Sequence, residues 1–465
     1  MAAKSRRDHL LFLVVLLLNF TRNGVSQSQV RNLPGFLGPL PFHLETGYVN
    51  IDENDDIQLF YYFFKSENNP VVDPLIIWFT GGPGCSGLSA ILYENGPVAI
   101  KVVEYNGSIP TLELNPFSWT KVYNMVFIDA PVGTGFSYSR TIESSYSTDT
   151  ISGQQGYIFI KKWLRDHPEF ISNRLYVAGD SYSGKVVPIV VQDASNGIKA
   201  GDEPLVNLQG YLLGNPITYR DQERNYGVPY SHGKGLISNE LFESLKINCR
   251  GNYVDIDPDN VECSTDIQAY TKCIEGLPTG HILEPKCAEI TPELKEILGI
   301  RISHNILVPV PDPDLPCNYI YRYMLSFYWA NDDRVQKALN VRKGKTKKWL
   351  RCRGCGINYT HNVENSISDH VKISKTQRYR SLIYNGDKDL VVPFLSTQAW
   401  IKSLNYSIKD DWRPWLMDSQ VVKYTRTYAN NMTFATVLGA GHLALEFKPE
   451  ACLEMLKRWL SHEPL

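Results

Sequence analysis

The chain has 465 residues, of which 43% are apolar and 21% charged, and its formal net charge is −2. Such a composition is ordinary for a globular protein and provides enough apolar residues for a large core. Without residues 1–26, which carry four basic residues and one acidic residue, 43 basic and 48 acidic residues remain. This acidic balance argues against nucleic acid as a partner.

The first 26 residues have the pattern of a secretory signal peptide. Basic residues precede the apolar run Leu10 to Phe20, and Gly24-Val25-Ser26 offers small residues for cleavage. The apolar run is too short to span a bilayer, and no later stretch is long and apolar enough to do so. We therefore expect residues 27–465 to form the mature protein, which enters the secretory pathway, is secreted or vacuolar, and has no membrane contact after cleavage.

Strand-like and helix-like patterns alternate along most of the mature chain, which predicts a largely parallel sheet covered by helices on both faces. The pattern breaks up between residues 216 and 374, and we interpret that stretch as an insertion that covers the active site. Strands are predicted at Ile57 to Phe64, Leu75 to Phe79, Met125 to Ile128, Leu175 to Ala178, Leu208 to Leu213, Ser381 to Tyr384 and Phe434 to Leu438. Helices are predicted at Thr148 to Asp166, Ser183 to Asp193, Phe394 to Leu404 and Pro449 to Ser461.

A candidate nucleophile lies directly behind one predicted strand. The segment Gly179-Asp180-Ser181-Tyr182-Ser183-Gly184 predicts a sharp strand-to-helix turn of the G-x-S-x-G type, with glycines that allow the strand and helix to approach closely. Such a turn exposes the hydroxyl of Ser181 at the top of the sheet. A serine placed there can attack an acyl carbon, and the next backbone N–H can stabilise the developing oxyanion.

A base and an acid are expected downstream, in the chain order serine, acid, histidine. Only His442 and His462 lie far downstream after a further strand-like run, and His442 follows a strand that ends in glycines. The turn after the strand before it carries two carboxylates, Asp387 and Asp389. Either one could orient the imidazole, so the residues alone leave this choice open.

The nine cysteines of a secreted chain predict disulfides, since none of their spacings forms a convincing zinc site. Nothing in the sequence calls for a metal or a cofactor. The basic run from Arg342 to Arg353 is interpreted as an exposed, protease-sensitive loop. Asparagine sequons predict N-glycosylation at Asn106, Asn358, Asn405 and Asn431.

From about Leu33 onward the chain resembles the serine carboxypeptidase-like proteins of plants. The motifs that carry this resemblance include Trp78 to Ser86 (WFTGGPGCS), Asn115 to Trp119 (NPFSW) and Asp129 to Tyr138 (DAPVGTGFSY), together with the serine, aspartate and histidine segments. The resemblance implies an α/β-hydrolase fold with a cap insertion. It also implies a catalytic triad of Ser181, Asp389 and His442, which decides between the two aspartates.

The resemblance further implies oxyanion donors and disulfides. It places the donors at the backbone N–H groups of Gly82 and Tyr182. By position it pairs Cys85 with Cys352, Cys249 with Cys263, and Cys287 with Cys317.

Two substitutions bear on the reaction. Carboxypeptidases of this family bind the terminal carboxylate of the substrate with an Asn and a Glu at the positions of Thr80 and Asp180, beside Gly81. Asp is one methylene shorter than Glu, and Thr lacks the amide donors of Asn. This pair resembles the acyltransferase branch, in which a 1-O-acyl glucose ester is the acyl donor and a hydroxyl or amine is the acceptor. Peptidases also usually have His at the position of Lys185.

We therefore expect a serine carboxypeptidase-like acyltransferase with small-molecule donor and acceptor. Two alternatives remain open: a carboxypeptidase acting on a peptide C-terminus, and a secreted binding protein without catalysis, against which the intact triad argues.

Overall fold

The computed structural model describes residues 28–103, 105–285 and 318–465. The predicted signal segment, residues 1–26, lies outside the described residues, and so does the predicted pair Cys287 and Cys317. Across the described part of the chain, no helix is long and apolar enough to cross a membrane.

Strands and helices alternate as the sequence predicts, with additional strands near both termini. The strands are β1 Ser28–Val30, β2 Leu44–Asn50, β3 Ile57–Phe64, β4 Leu75–Phe79, β5 Val98–Ile100, β6 Leu112–Leu114, β7 Asn124–Ile128, β8 Tyr138–Ser139, β9 Ser147–Thr148, β10 Leu175–Asp180, β11 Leu208–Gly214, β12 Tyr359–Thr360, β13 Arg380–Gly386, β14 Ile408–Met417, β15 Gln420–Tyr428 and β16 Met432–Val437. The helices are α1 Gly87–Tyr93, α2 Asp149–Asp166, α3 Ser183–Ala200, α4 Arg220–Arg224, α5 Gly227–Gly233, α6 Asn239–Cys249, α7 Val261–Ile274, α8 Asn318–Ala330, α9 Asp333–Ala338, α10 Ile367–Lys375, α11 Phe394–Ser403, α12 Ala444–Phe447 and α13 Pro449–Leu460.

A central sheet of twelve strands organises the molecule, with the order β1-β2-β3-β7-β4-β10-β11-β13-β16-β15-β14 and β8 beside β3. The six strands from β7 to β16 are parallel to one another. Antiparallel strands flank them on both sides, including β3, which the alternating pattern alone could not distinguish from a parallel strand. The predicted α/β-hydrolase fold is confirmed, with a sheet that is parallel only at its centre.

Both faces of the central strands are buried, because their side chains alternate between two apolar clusters. In β4, Ile76 and Trp78 point into one cluster, whereas Leu75, Ile77 and Phe79 point into the other. Helices α1, α8 and α13 cover the first face, and α2, α3 and α11 cover the second. This sandwich explains why the central strands are continuous apolar runs.

The stretch predicted as an insertion, residues 216–374, leaves the sheet after β11 and returns before β13. Its helices α6 and α7 pack around a small apolar cluster of their own and are joined by a disulfide between Cys249 and Cys263. The segment after α7 reaches the histidine loop, where His442 N donates to Gly280 O at 2.7 Å. A Cβ at Gly441 would lie 2.3 Å from that same oxygen. The insertion therefore packs directly on the loop that carries His442.

The basic run from Arg342 to Arg353 is not exposed throughout, contrary to the sequence interpretation. Its lysines are exposed, but Arg342 stacks 4.4 Å from the ring centre of Tyr48 and donates to Gln58. Arg351 stacks 4.1 Å from the ring centre of Tyr323. An arginine guanidinium can stack on an aromatic ring, so the charge of the run did not show which of its residues are held inside.

We predict that Trp163→Ala in α2 destabilises the fold by about 3–5 kcal/mol, because the substitution leaves a large cavity. The indole is completely buried, with Phe63 at 4.9 Å and His167 stacked at 3.9 Å between ring centres. Urea unfolding measures the change. The control Leu37→Ala, at a side chain that is 97% exposed, is expected to change the stability by less than about 0.5 kcal/mol.

Candidate active site

Ser181 lies in a sharp turn between β10 and α3. Its φ is +53°, a left-handed conformation that is unfavourable for a residue with a side chain. Glycines on both sides permit the turn: a Cβ at Gly179 would lie 2.2 Å from Phe79 O, and one at Gly184 would lie 2.6 Å from Ile217 O. Gly184 is three residues after the serine, so the spacing departs by one residue from G-x-S-x-G.

The structure brings Ser181, His442 and Asp389 together from the ends of three parallel strands. The Nε2 atom of His442 lies 2.8 Å from the hydroxyl oxygen of Ser181, and its Nδ1 atom lies 2.8 Å from Oδ2 of Asp389. A hydroxyl joined to an imidazole and then to a carboxylate is the arrangement in which serine can act as a nucleophile. The other candidate, His462, contacts Arg380 at the opposite end of β13.

Asp389 is fully buried and accepts hydrogen bonds on both oxygens. The N–H groups of Val391 and Val392 donate to Oδ1 at 2.7 and 3.2 Å, and the side chain of Asn215 donates to Oδ2 at 2.8 Å. These donors hold the carboxylate in a fixed orientation beside His442. The sequence reasoning missed Asn215. Its signal was its position directly after β11, the strand beside the one that carries Ser181.

Asp387, the other carboxylate of the turn, points away from His442. Its Oδ1 accepts from Gly439 N at 2.6 Å, and its Oδ2 pairs with Lys388 at 2.9 Å and with Lys234 of the insertion at 3.2 Å. Asp387 therefore joins the aspartate loop to the histidine loop and to the insertion. The geometry separates the two aspartates that the residues alone left as alternatives.

The pKa of His442 is raised above its ordinary value. Burial by itself would lower it, but the charge of Asp389 and its hydrogen bond outweigh burial, and the charge of Asp180 adds to the rise. Asp389 thus stabilises the protonated imidazole, which is the form that exists after the imidazole has taken a proton from a hydroxyl.

A glycine turn follows β4 and lies against the serine turn. A Cβ at Gly81 would be 2.7 Å from the Cβ of Ser181, and Gly82 has a φ of +116°. Within the described residues, neither the N–H of Gly82 nor that of Tyr182 donates a hydrogen bond. A disulfide between Cys85 and Cys352 links this turn to the end of the insertion. Two backbone donors close to the serine are therefore available for an oxyanion.

Thr80 precedes this glycine turn in the chain, and Asp180 contacts the turn from the end of β10. The Oδ1 atom of Asp180 accepts from Gly81 N at 3.1 Å, so the carboxylate is folded back onto the glycine turn. Burial raises the pKa of Asp180, and the nearby charge of His442 opposes the rise. The hydroxyl of Thr80 is buried and has no hydrogen-bond partner in the described structure.

Three further charged residues, which the sequence reasoning missed, lie near Asp180. Burial raises the pKa of Glu94 well above its ordinary value; the charges of Asp180 and Glu446 add to the rise, and that of Arg351 opposes it. Glu446 accepts from Tyr323 at 3.0 Å, and one oxygen of Glu94 has no partner in the described structure. The only sequence signals were Glu94 at the end of α1 and Glu446 four residues after His442.

The structure locates the remaining predicted site residues without testing their roles. All four sequon asparagines are exposed, and the side chain of Asn106 accepts from the hydroxyl of Ser108 at 2.6 Å. Their glycosylation stays a prediction. In the described ranges, no group of three or more His, Cys, Asp or Glu side chains could hold a metal ion.

The fold and the site together define an enzyme of the α/β-hydrolase class with a serine at the strand-to-helix turn. The family model described as serine carboxypeptidase matches residues 34–462, so the chain belongs to the serine carboxypeptidase family. Among its relatives in Arabidopsis thaliana, serine carboxypeptidase-like 19 is 51% identical, over 98% of this chain and 100% of the relative. Serine carboxypeptidase-like 10 is 50% identical, over 99% and 100%.

A solved structure shows the same fold at low sequence identity. The prohormone-processing carboxypeptidase Kex1 from Saccharomyces cerevisiae superimposes with a TM-score of 0.67 at 20% identity, over 90% of this chain and 92% of that one. At this identity the likeness concerns the fold alone.

A fluorophosphonate probe tests the two aspartates. We expect Asp389→Asn to slow the labelling of Ser181 by about 10⁴-fold, because the amide favours the wrong imidazole tautomer. Asp387→Asn is expected to label within about tenfold of the wild-type rate, because the Asp387 carboxylate joins neighbouring loops and does not contact His442. The labelling rate of each purified variant is measured. Equal losses in both variants would contradict the assignment.

The raised pKa of His442 predicts a pH profile for the same labelling. The imidazole must be neutral to accept a proton, so the rate falls as the pH drops through a midpoint above about 6.5. In Asp389→Asn the midpoint moves to lower pH, because the charge that raised the pKa is gone. A midpoint that Asp389→Asn leaves in place would show that the carboxylate does not act on His442.

Proposed function

We propose that this member of the serine carboxypeptidase family is an acyltransferase. Ser181 takes the acyl group from a 1-O-acyl glucose ester and passes it to a hydroxyl or amine acceptor. The proposal assigns the nucleophile to Ser181, the base to His442 and the orienting acid to Asp389. Their consecutive hydrogen bonds of 2.8 Å support these roles.

The first half of the reaction uses these three residues and the glycine turn. His442 takes the proton of Ser181 as its oxygen attacks the ester carbon, and Asp389 stabilises the resulting imidazolium. The N–H groups of Gly82 and Tyr182 donate to the oxygen of the tetrahedral intermediate. His442 then returns the proton to the departing glucose oxygen, which leaves an acyl-enzyme on Ser181. Thus no metal or cofactor is needed for this half.

The observation that carries the choice of substrate is the position of Asp180. Its carboxylate is folded back onto Gly81 N, and the neighbouring Thr80 offers one hydroxyl instead of an amide. A peptide carboxylate would meet a shorter acid at Asp180 and no amide donor at Thr80, so both contacts that hold it in the carboxypeptidases of the family are altered. A glucose leaving group is neutral, and its hydroxyls can donate to Asp180 and Glu94 whether or not these are ionised. The site is therefore better suited to a sugar than to a carboxylate.

The second half of the reaction determines whether the enzyme transfers or hydrolyses. A bound acceptor gives up its proton to His442 and attacks the acyl-enzyme, which yields the acylated acceptor and free Ser181. Water in the same place gives hydrolysis. Transfer therefore requires that the acceptor occupy the site more often than water does.

Carboxypeptidase activity is the second candidate, and one observation favours it. Burial raises the pKa values of Asp180 and Glu94, so in acid these groups can be protonated and can donate to a peptide carboxylate. Under either candidate we propose a glycosylated protein of the secretory route.

A parallel assay tests the choice. The glycosylated protein is incubated with a hydroxycinnamoyl glucose and a set of acceptor alcohols and amines, and separately with an N-blocked dipeptide. We expect an acylated acceptor from the first reaction and little free amino acid from the second. The double variant Thr80→Asn/Asp180→Glu, which restores the amide and the longer carboxylate, is expected to gain dipeptide hydrolysis by about tenfold or more. Efficient release of the C-terminal amino acid by the wild type, with no acylated product, would overturn the proposal.

A further inference from the structure

We propose that Asp149 and Lys185 are positioning residues for the oxyanion hole. They hold Tyr182 against residues 357–364, a segment at the end of the insertion that we call the strap. The inference rests on the proposed role of the Tyr182 N–H as an oxyanion donor. None of the motif arguments from the sequence pointed to Asp149, which is the first residue of α2.

Asp149 is completely buried, and its carboxylate accepts four hydrogen bonds. Its Oδ1 accepts from the hydroxyls of Tyr182 at 2.6 Å and Tyr359 at 2.8 Å. Its Oδ2 accepts from the N–H groups of Asn362 and Val363, both at 2.8 Å. An ionised carboxylate can satisfy four donors, and the start of a helix favours its charge. One residue thus ties Tyr182 to the strap.

Lys185 holds the same segment from the other side. Its Nζ donates to Val363 O at 2.5 Å and to Glu364 O at 3.3 Å, and it lies 5.7 Å from the ring centre of Tyr182. The side chain is almost fully buried. Strand β12 of the strap pairs with β9, and beyond it Asp149 binds N–H groups of the strap while Lys185 binds its carbonyls, so two charged residues satisfy the backbone where the strand has ended.

His361 of the strap makes a further contact with Tyr182. The Tyr182 hydroxyl donates to Asp149, so it accepts a short hydrogen bond from Nδ1 of His361. The ring of Tyr182 is therefore fixed at its hydroxyl from two sides.

The residues that lead into the strap contact the turn of the other oxyanion donor. Cys352 is bonded to Cys85, three residues after Gly82, and Arg353 N donates to Gly84 O at 2.9 Å. A Cβ at Gly84 would lie 2.9 Å from the Cδ1 atom of Ile357. One continuous stretch, residues 352–364, therefore contacts the Gly82 turn at its start and Tyr182 at its end. It sets the distance between two donors that come from different strands.

This distance matters because an oxyanion hole works only when both N–H groups reach the same oxygen within about 0.5 Å of the productive geometry. Removal of a whole donor costs about 10²–10³-fold in rate. We expect the release of the Tyr182 side chain to displace its N–H only partly, with a loss of about tenfold.

The experiment measures fluorophosphonate labelling of the full-length glycosylated protein, because the phosphoryl oxygen of the adduct occupies the oxyanion hole. We expect Asp149→Asn, Tyr182→Phe and Lys185→Met each to lower the limiting labelling rate by about tenfold and to leave the half-saturating probe concentration unchanged. The double variant Asp149→Asn/Tyr182→Phe is expected to be no slower than Asp149→Asn alone, because the two groups act as one unit.

A second tyrosine–carboxylate–lysine set on α2 provides matched controls. Asp202, which follows α3, accepts from the hydroxyl of Tyr157 at 3.0 Å and from Lys161 at 2.8 Å, both on α2, and neither hydrogen bond involves the serine turn or the strap. Asp202→Asn and Tyr157→Phe are expected to label at the wild-type rate, even where their thermal midpoints fall as much as those of the strap variants. Slow labelling of these controls would show that any loosening of α2 has the same effect, and would overturn the inference.

The outcomes separate this inference from the proposed function. Labelling of Ser181→Ala at the wild-type rate would refute the nucleophile itself. Normal labelling of the wild type together with wild-type rates in Asp149→Asn and Tyr182→Phe would refute only the positioning role. If Asp149→Asn does not fold, Tyr182→Phe still decides the question, because it leaves the other three hydrogen bonds of Asp149 in place.

Discussion

The left-handed backbone at Ser181 is the constraint on which the site depends. A residue with a side chain loses about 1–2 kcal/mol in this conformation, and the surrounding structure must enforce it. Enforcement comes from close packing: Gly179 has no room for a Cβ against β4 and the start of α3, and Gly184 has none against the segment that follows β11. In addition, Ser181 N donates to Gly214 O, and Ser181 O accepts from Ile217 N. Hydrogen bonds thus hold both the N–H and the carbonyl of Ser181, and its hydroxyl projects towards His442.

Buried charge is concentrated behind this turn. Asp180, Glu94 and Glu446 are acidic, whereas Arg351 is the basic group among them that acts on all three pKa values. Burial of several carboxylates is unfavourable unless they are protonated or paired, and the raised pKa values express that cost. A substrate that donates hydrogen bonds relieves this cost without bringing a charge. The electrostatics of the pocket and the proposed preference for a sugar leaving group therefore have the same physical origin.

The stretch predicted as an insertion, residues 216–374, contacts every loop of the site. It reaches the aspartate loop through Lys234 and Asp387, the histidine loop through Gly280, the Gly82 turn through Cys352, and the serine turn through the strap. Each of the four loops that build the site is thus anchored by residues distant in sequence. Because loops are the least constrained parts of an α/β fold, such anchoring keeps their relative positions within the tolerance that acyl transfer requires.

The sequence by itself determined the strands at the centre of the sheet, though not the outer strands β1, β2, β8, β14 and β15, because uninterrupted apolar runs such as Leu75 to Phe79 are buried on both faces wherever they lie. It also determined the serine turn, since the glycines around Ser181 encode a local backbone conformation. The residues alone did not decide which aspartate faces His442, because Asp387 and Asp389 lie in one turn and differ only in the direction of their side chains. The family resemblance implied Asp389, and the tertiary structure brings that carboxylate to His442. The tertiary structure alone revealed Asn215, Glu94, Arg351 and Asp149. Their roles arise from contacts between segments far apart in the chain, and such contacts leave no periodic or local signal in a single sequence.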